Sequence, residues 1–165
     1  MTSTERKQKI EAYGNAHTEL TDVLKQFPKE VWNYKSSPDR WSIKEILVHL
    51  ADSEANAFVR CRKLIAEPGK PVMVWDQNQW AKSLNYPNQN PKEALELLKW
   101  LRRTTYNILK TLPESTWSNT VTHPEHPEHG EYTLDKWLDI YSRHIQSHIN
   151  QMKKNYDEWE NKESK

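Results

Sequence analysis

At 165 residues the chain has the size of one domain built around one buried core, and residues 1–165 are read as a single domain. Its 24 Lys and Arg balance 23 Asp and Glu for a formal charge of +1, with the two signs alternating along the chain. That excludes the clustered basic face of a nucleic-acid binder. A hydrophobic fraction of 35% and a mean hydropathy of -1.02 are low enough to raise disorder. Eight Trp and seven Tyr beside only three Gly argue against it, because disordered chains carry few large aromatics.

The first helical pattern runs over about residues 4–27, where Ile10, Tyr13, Leu20, Leu24 and Phe27 recur at helical spacing and Pro28 ends it. The second starts at Ser42, which pairs with Glu45 as a capping box, and Pro68-Gly69 stops it. Its stripe is Ile43, Ile46, Leu47, Leu50, Ala57, Phe58, Cys61, Leu64 and Ile65. The third opens at Asn90-Pro91, with Glu93 as the box partner, and ends at Pro113. Leu95, Leu98, Leu101, Thr105, Ile108 and Leu112 mark its buried side. The fourth runs from Thr133 to about residue 160, along Leu134, Trp137, Leu138, Tyr141, Ile145, Met152, Tyr156 and Trp159. No strand alternation and no internal repeat is found. The expected fold is all-α, a four-helix bundle, with up-and-down and crossover topologies both open.

Two long connections remain, and loops of such length in a compact domain are usually functional or mobile. Residues 68–90 hold Trp75, Asp76 and Trp80, with room for a short helical turn. Residues 113–132 hold His123, His126 and His129. The polar N-terminus has no signal-peptide core and no apolar run reaches membrane-span length. Cys61 stands alone, so an internal disulfide is impossible. A cytoplasmic protein with no membrane partner is expected.

His144 and His148 lie four residues apart, which stacks both rings on one helix face, close enough for one ion. Two histidines are half a site. On the second helix, His49 sits beside the apolar face, next to a polar strip of Ser53, Asn56 and Arg60, so the two helices can aim three imidazoles at one groove. Imidazole suits zinc, nickel, copper and iron, and three ligands leave coordination positions open, as catalytic sites require. A buried histidine is also commonly held by a hydrogen bond alone, and His17, in the stripe of the first helix, is read as a core or pocket-wall residue. The histidines of the 113–132 loop lack helical rigidity and are read as a surface loop near the pocket mouth. Cys61, inside an apolar stripe, reads as a small core residue rather than a nucleophile. Asn56 and Gln151 lie on the shoulders of their stripes, where each can hydrogen-bond a ligand, a bound water or a neighbouring helix. Arg60 extends the His49 strip and can contact an acidic cofactor. Trp75 and Trp80 either cap the pocket or join the core.

The segment Trp41-Ser42-Ile43-Lys44-Glu45-Ile46-Leu47-Val48-His49-Leu50-Ala51-Asp52-Ser53-Glu54 resembles the second-helix signature of the DinB/YfiT-like superfamily. Tyr141-Ser142-Arg143-His144-Ile145-Gln146-Ser147-His148-Ile149 resembles its closing His-x-x-x-His helix. Trp75-Asp76-Gln77-x-x-Trp80, and His123-Pro124-Glu125 before Thr133-Leu134-Asp135, are similar to the YfiT-like branch. The resemblance implies a four-helix bundle of the DinB/YfiT-like type with one divalent ion, zinc or nickel foremost, on His49, His144 and His148. It further implies a metal-dependent thiol S-transferase using a low-molecular-weight thiol such as bacillithiol or mycothiol, or else a metal-dependent hydrolase, acting on a small-molecule substrate as a homodimer. A cation on three neutral imidazoles lowers the pKa of a water or thiol beside it, so those ligands fit either reaction. A non-catalytic module that binds a metal or a small molecule is the other class left open.

Overall fold

The computed structural model describes residues 1–122 and 132–163, so His123, His126 and His129 lie outside the described residues. Four long helices form the bundle: α1 (Ser3–Leu24), α2 (Ile43–Ala66), α4 (Pro91–Leu109) and α5 (Leu134–Glu163). A short helix, α3 (Gln77–Ser83), sits in the α2–α4 connection. The chain thus adopts the expected all-α bundle.

Its topology is set by which helices touch. α1 packs on α4 and α5, and α2 packs on the same two. Consecutive long helices α1 and α2 therefore face each other across a diagonal, as do α4 and α5. A plain up-and-down bundle would put α1 beside α2. The crossing makes α5, last in the chain, a neighbour of α2, and that adjacency is what the candidate site needs.

The helix starts follow their caps. Ser42 accepts from the Glu45 amide while the Glu45 carboxylate takes the Ser42 amide, which satisfies two orphan donors at the start of α2. Thr2 and Glu5 form the same reciprocal pair at α1. At α4, Asn90 caps Lys92, but Glu93 accepts from the Asn90 side-chain amide rather than from its backbone. The difference is chemical: Asn brings an NH2 donor of its own where Ser or Thr has only a hydroxyl. Thr133 Oγ1 accepts from the Lys136 amide at the start of α5.

Two helices end a turn earlier than the periodicity predicts. α1 closes at Leu24 and not at Phe27, and the last amides, Gln26 and Phe27, bond three residues back to Val23 and Leu24. α4 closes at Leu109, and Thr111 likewise bonds Ile108. Pro28 and Pro113 are the cause: a proline disfavours the α conformation of the residue before it, so the approach tightens into a 3₁₀ turn. Phe27 and Leu112 keep their inward positions although they are no longer helical.

A two-residue antiparallel pair, β1 (Thr120–Val121) and β2 (Tyr132–Thr133), closes one end, in register Thr120 with Thr133 and Val121 with Tyr132. Strands this short have no alternation for a sequence pattern to reveal. Residues 67–73 are fastened beside β1: Gly69 N bonds Thr120 O at 2.8 Å and Val72 N bonds Thr122 O at 3.1 Å. Gly69 takes φ 81°, a conformation that a Cβ would strain.

Beside a small cluster of Val48, Ala51, Tyr86 and Ala94, on which Trp80 packs, the apolar interior has two larger parts. One gathers Tyr13, Ala57, Cys61, Leu64, Trp137 and Leu138 near the β1–β2 end. The other gathers Leu20, Val31, Ile43, Leu47, Ile145 and Met152. Among the described residues no helix is long and apolar enough to cross a membrane.

Candidate metal centre

α2 and α5 lie side by side, and each brings histidines to the shared seam. His49 is 2% exposed; His144 and His148 are half-buried. One ring nitrogen from each of the three lies within 4.8 Å of the others. His144 Nε2 and His148 Nε2 are 3.2 Å apart. Imidazoles bind zinc at about 2.0–2.1 Å, so two ligand nitrogens on one tetrahedral ion stand about 3.3 Å apart. The α5 pair is already at coordination spacing, and the i, i+4 stacking is what puts it there.

The protonation pattern suits a cation. His148 Nδ1 lies 2.9 Å from Gln151 Oε1. The amide oxygen only accepts, so Nδ1 carries the proton and Nε2 presents its lone pair to the centre. Burial lowers the His49 pKa to about 3, with the charges of His148 and His144 adding to the effect. His144 is likewise lowered to about 3 by burial, then by His148 and the Arg102 charge. Burial also lowers His148, opposed by its bond to Gln151. All three rings are therefore neutral at neutral pH, the form in which imidazole ligates. His49 Nδ1 is buried and has no hydrogen-bond partner among the described residues. An orphaned buried polar atom costs about 1–3 kcal/mol, and such a cost persists where a ligand completes the arrangement. Donor set, spacing and orphaned nitrogen together fit one divalent ion.

Aromatic rings hold His49 in place. Trp41 packs on one side, 4.6 Å between centroids, and Trp75 stacks on it at 5.8 Å and 15°. Trp80 meets Trp75 edge to face at 4.7 Å. Tyr141 lies 5.9 Å from His144. Trp41 carries a local sequence signal for this placement: it precedes the Ser42 cap, the position from which an apolar residue folds back onto the helix's first turn.

The shoulder residues meet the protein itself. Arg60 donates Nε and Nη2 to Met73 O, at 3.1 and 2.8 Å, and Nη1 to Tyr141 Oη at 3.4 Å. Asn56 donates to Asp52 O, one turn back in its own helix. Gln151 orients His148. His17 bonds Leu95 O at 3.2 Å, as a pocket-wall residue would. Cys61 is 1% exposed and burial pushes its thiol up to about 12, so it stays protonated and unreactive.

A second polar cluster, absent from the sequence reading, lies behind the first. Arg102 donates to Glu54, to Tyr13 O and to Tyr141 O, and Glu54 accepts from Tyr13 Oη. Glu54 and Arg102 are each 1% exposed. The signal available was Glu54 on the stripe side of α2, where an unpaired carboxylate is untenable.

The sequence profile of the DinB superfamily matches residues 12–152. An Oceanobacillus iheyensis protein whose name proposes a metal-dependent hydrolase is 28% identical over 109 residues, 66% of this chain and 61% of that protein. YfiT of Bacillus subtilis, with a name of the same kind, is 27% identical over 109 residues, 66% of this chain and 60% of its own length. The chain thus spans less than two thirds of these relatives. The solved structure of YfiT, described as a four-helix bundle of unusual topology, matches with a TM-score of 0.85 over 94% of this chain and 87% of that one, at 19% identity. That likeness establishes the fold.

Proposed function

Because the chain belongs to the DinB superfamily, we propose that His49, His144 and His148 hold one divalent metal ion in a metal-dependent enzyme, with hydrolysis of a small carbonyl substrate as its reaction. The observation that carries the proposal is the convergence of three neutral ring nitrogens from two helices within 4.8 Å. The relatives' names support the same reaction class.

A divalent ion at three imidazoles supplies Lewis acidity and lowers the pKa of water next to it. The chain's own contribution is positioning. Gln151 sets the tautomer of His148. Trp41 and Trp75 clamp His49 and keep water from its faces. A dry, low-dielectric wall strengthens every charge interaction inside it. Zinc and nickel both suit this donor set.

The finer reading is transfer of a low-molecular-weight thiol of the bacillithiol type to an electrophile. What supports it is the same donor set, since a thiol beside the same cation loses its proton as water does. Cys61 is too deeply buried and too strongly protonated to serve as the nucleophile, so the thiol would come from solution.

Metal analysis of tag-free protein tests the centre. One equivalent in the parent, and loss in each of His49→Ala, His144→Ala and His148→Ala, is the expected result; unchanged metal in the variants would refute it. The loaded protein is then offered 4-nitrophenyl esters, and separately monochlorobimane with bacillithiol. Metal-dependent release of nitrophenol without thiol supports hydrolysis, and conjugation only with thiol supports transfer.

A further inference from the structure

Among the described residues three tryptophans, Trp32, Trp100 and Trp117, have the chain's own cations over them, and Trp41, Trp137 and Trp159 have none. Lys29 Nζ sits 3.4 Å over the Trp32 ring, Arg6 lies 4.7 Å over Trp117, and Lys99 and Arg103 stand 5.5 and 5.7 Å from Trp100. Trp75 and Trp80 are joined to the candidate centre, Trp75 through His49 and Trp80 through Trp75. Both are half-buried, and among the described residues no cation lies over either ring. Trp80 belongs to α3, a helix with no fully buried residue. Two large apolar rings beside a candidate metal centre are thus left partly open.

Their placement is held from several directions. The segment that leads to Trp75 is tied at Gly69 and Val72 to the β1 end, at Pro71 O to Lys63, and at Met73 O to Arg60. Asp76 Oδ1 caps α3 by accepting from the Asn78 and Gln79 amides. Trp75 also stacks on His49, and Trp80 stands against Trp75. The pair forms an angled aromatic surface continuous with a candidate ligand ring.

We propose that Trp75 and Trp80 form the subsite for a planar apolar group, an aromatic ring that the substrate carries next to its reactive carbonyl. This inference rests on the metal reading above and names the substrate class of that site. Aromatic surfaces take cations as well as rings, and charge decides between them here. Three neutral imidazoles leave a divalent ion's charge uncancelled, and the buried Arg60 adds to it on the same seam, so a cationic substrate is repelled. The substrate is accordingly neutral or anionic.

Hydroxamates chelate divalent metals and come with or without a ring, so they separate this inference from the metal reading. Benzohydroxamate and acetohydroxamate are titrated into zinc-loaded full-length protein by calorimetry, for the parent, Trp75→Leu and Trp80→Leu. In the parent, benzohydroxamate binds on the order of tenfold more tightly, the scale of one aromatic contact plus its buried area. In both variants the preference shrinks at least threefold, while in Trp80→Leu the acetohydroxamate affinity stays within twofold, on the order of error for such contacts. Among the described residues Trp80 has its ring contact with Trp75 and with no histidine, and zinc content and melting curves of both variants verify that centre and fold are intact. Equal affinity of the two probes in the parent, or a preference that survives both substitutions, overturns the aromatic subsite and leaves the metal centre standing. Binding of neither probe to the zinc-loaded parent overturns this inference, and failure of the parent to take up zinc at all overturns the metal reading and this inference with it.

Discussion

Two polar clusters lie inside the same bundle, and both draw on α2 and α5. In the first, Arg102, Glu54 and Tyr13 close on one another: guanidinium to carboxylate, phenol to carboxylate, remaining N–H groups to backbone carbonyls of Tyr13 and Tyr141. In the second, three histidines converge without closing. His49 Nδ1 has no partner among the described residues, and the α5 rings point nitrogen at nitrogen. A closed network satisfies itself and serves to fix how helices pack; an open one has kept valences for something brought from outside. The contrast separates a structural cluster from a candidate functional one although both are buried, charged or polar, and close together.

The largest effect is expected from opening the closed cluster. Arg102→Met leaves the Glu54 carboxylate buried without its partner and should cost about 3–5 kcal/mol in denaturant unfolding. Metal binding by the protein that remains folded should persist. A loss below 1 kcal/mol, read against about 3–5 for a broken buried pair, would show that Glu54 is not held as an ion.

Emptying the open cluster should do the reverse. His148→Ala should lower zinc affinity by more than about a hundredfold, beyond the usual effect of an outer-sphere change, while the metal-free fold keeps its melting temperature. A strongly destabilised apo variant would instead place His148 among the packing residues.

Acid should distinguish the clusters next. His49 and His144 are held to about 3 in the folded protein, below their ordinary 6.5. The unfolded chain therefore takes up protons first as pH falls. The stability of the metal-free protein should be fully present above about pH 6.5, and should decline steadily from there toward pH 3. Urea titrations at stepped pH measure it, and a curve flat down to pH 5 would mean that the imidazoles are not buried in neutral form.

The smallest change sharpens the comparison from outside the ligand set. Gln151→Leu removes the acceptor that holds His148 Nδ1–H, and zinc affinity should fall roughly tenfold, the low end for an orienting contact, with stability nearly unchanged. No change in affinity would show that packing alone orients that ring.

Much of the fold was legible along the chain. Ser42 with Glu45, Asn90 with Pro91, and the repeats of apolar residues three and four apart are local features, and they located all four long helices. The helix ends were less legible, because Pro28 and Pro113 act on the turn before them while Phe27 and Leu112 keep their apolar spacing. The histidines were legible in part: His144 and His148 share a face by spacing alone, whereas His49 joined them through its place beside an apolar stripe and through resemblance to a known signature.

What the sequence by itself determined was where the long helices lie and, for most of them, which face is buried, since both follow from hydrogen bonding and side-chain spacing within a few turns. On α4 the expected stripe is met only at Leu98 and Thr105, while Leu95, Leu101 and Ile108 are half-buried and Ala94, Arg102 and Leu109 turn inward. The tertiary structure alone decided that α1 and α2 lie across a diagonal, so that α5 reaches α2 and three rings meet. It also decided that Arg102 from α4 finds Glu54 from α2, and that Trp75 stacks on His49. These are contacts between segments far apart in the chain, and their energy depends on distance and desolvation, which no local pattern encodes.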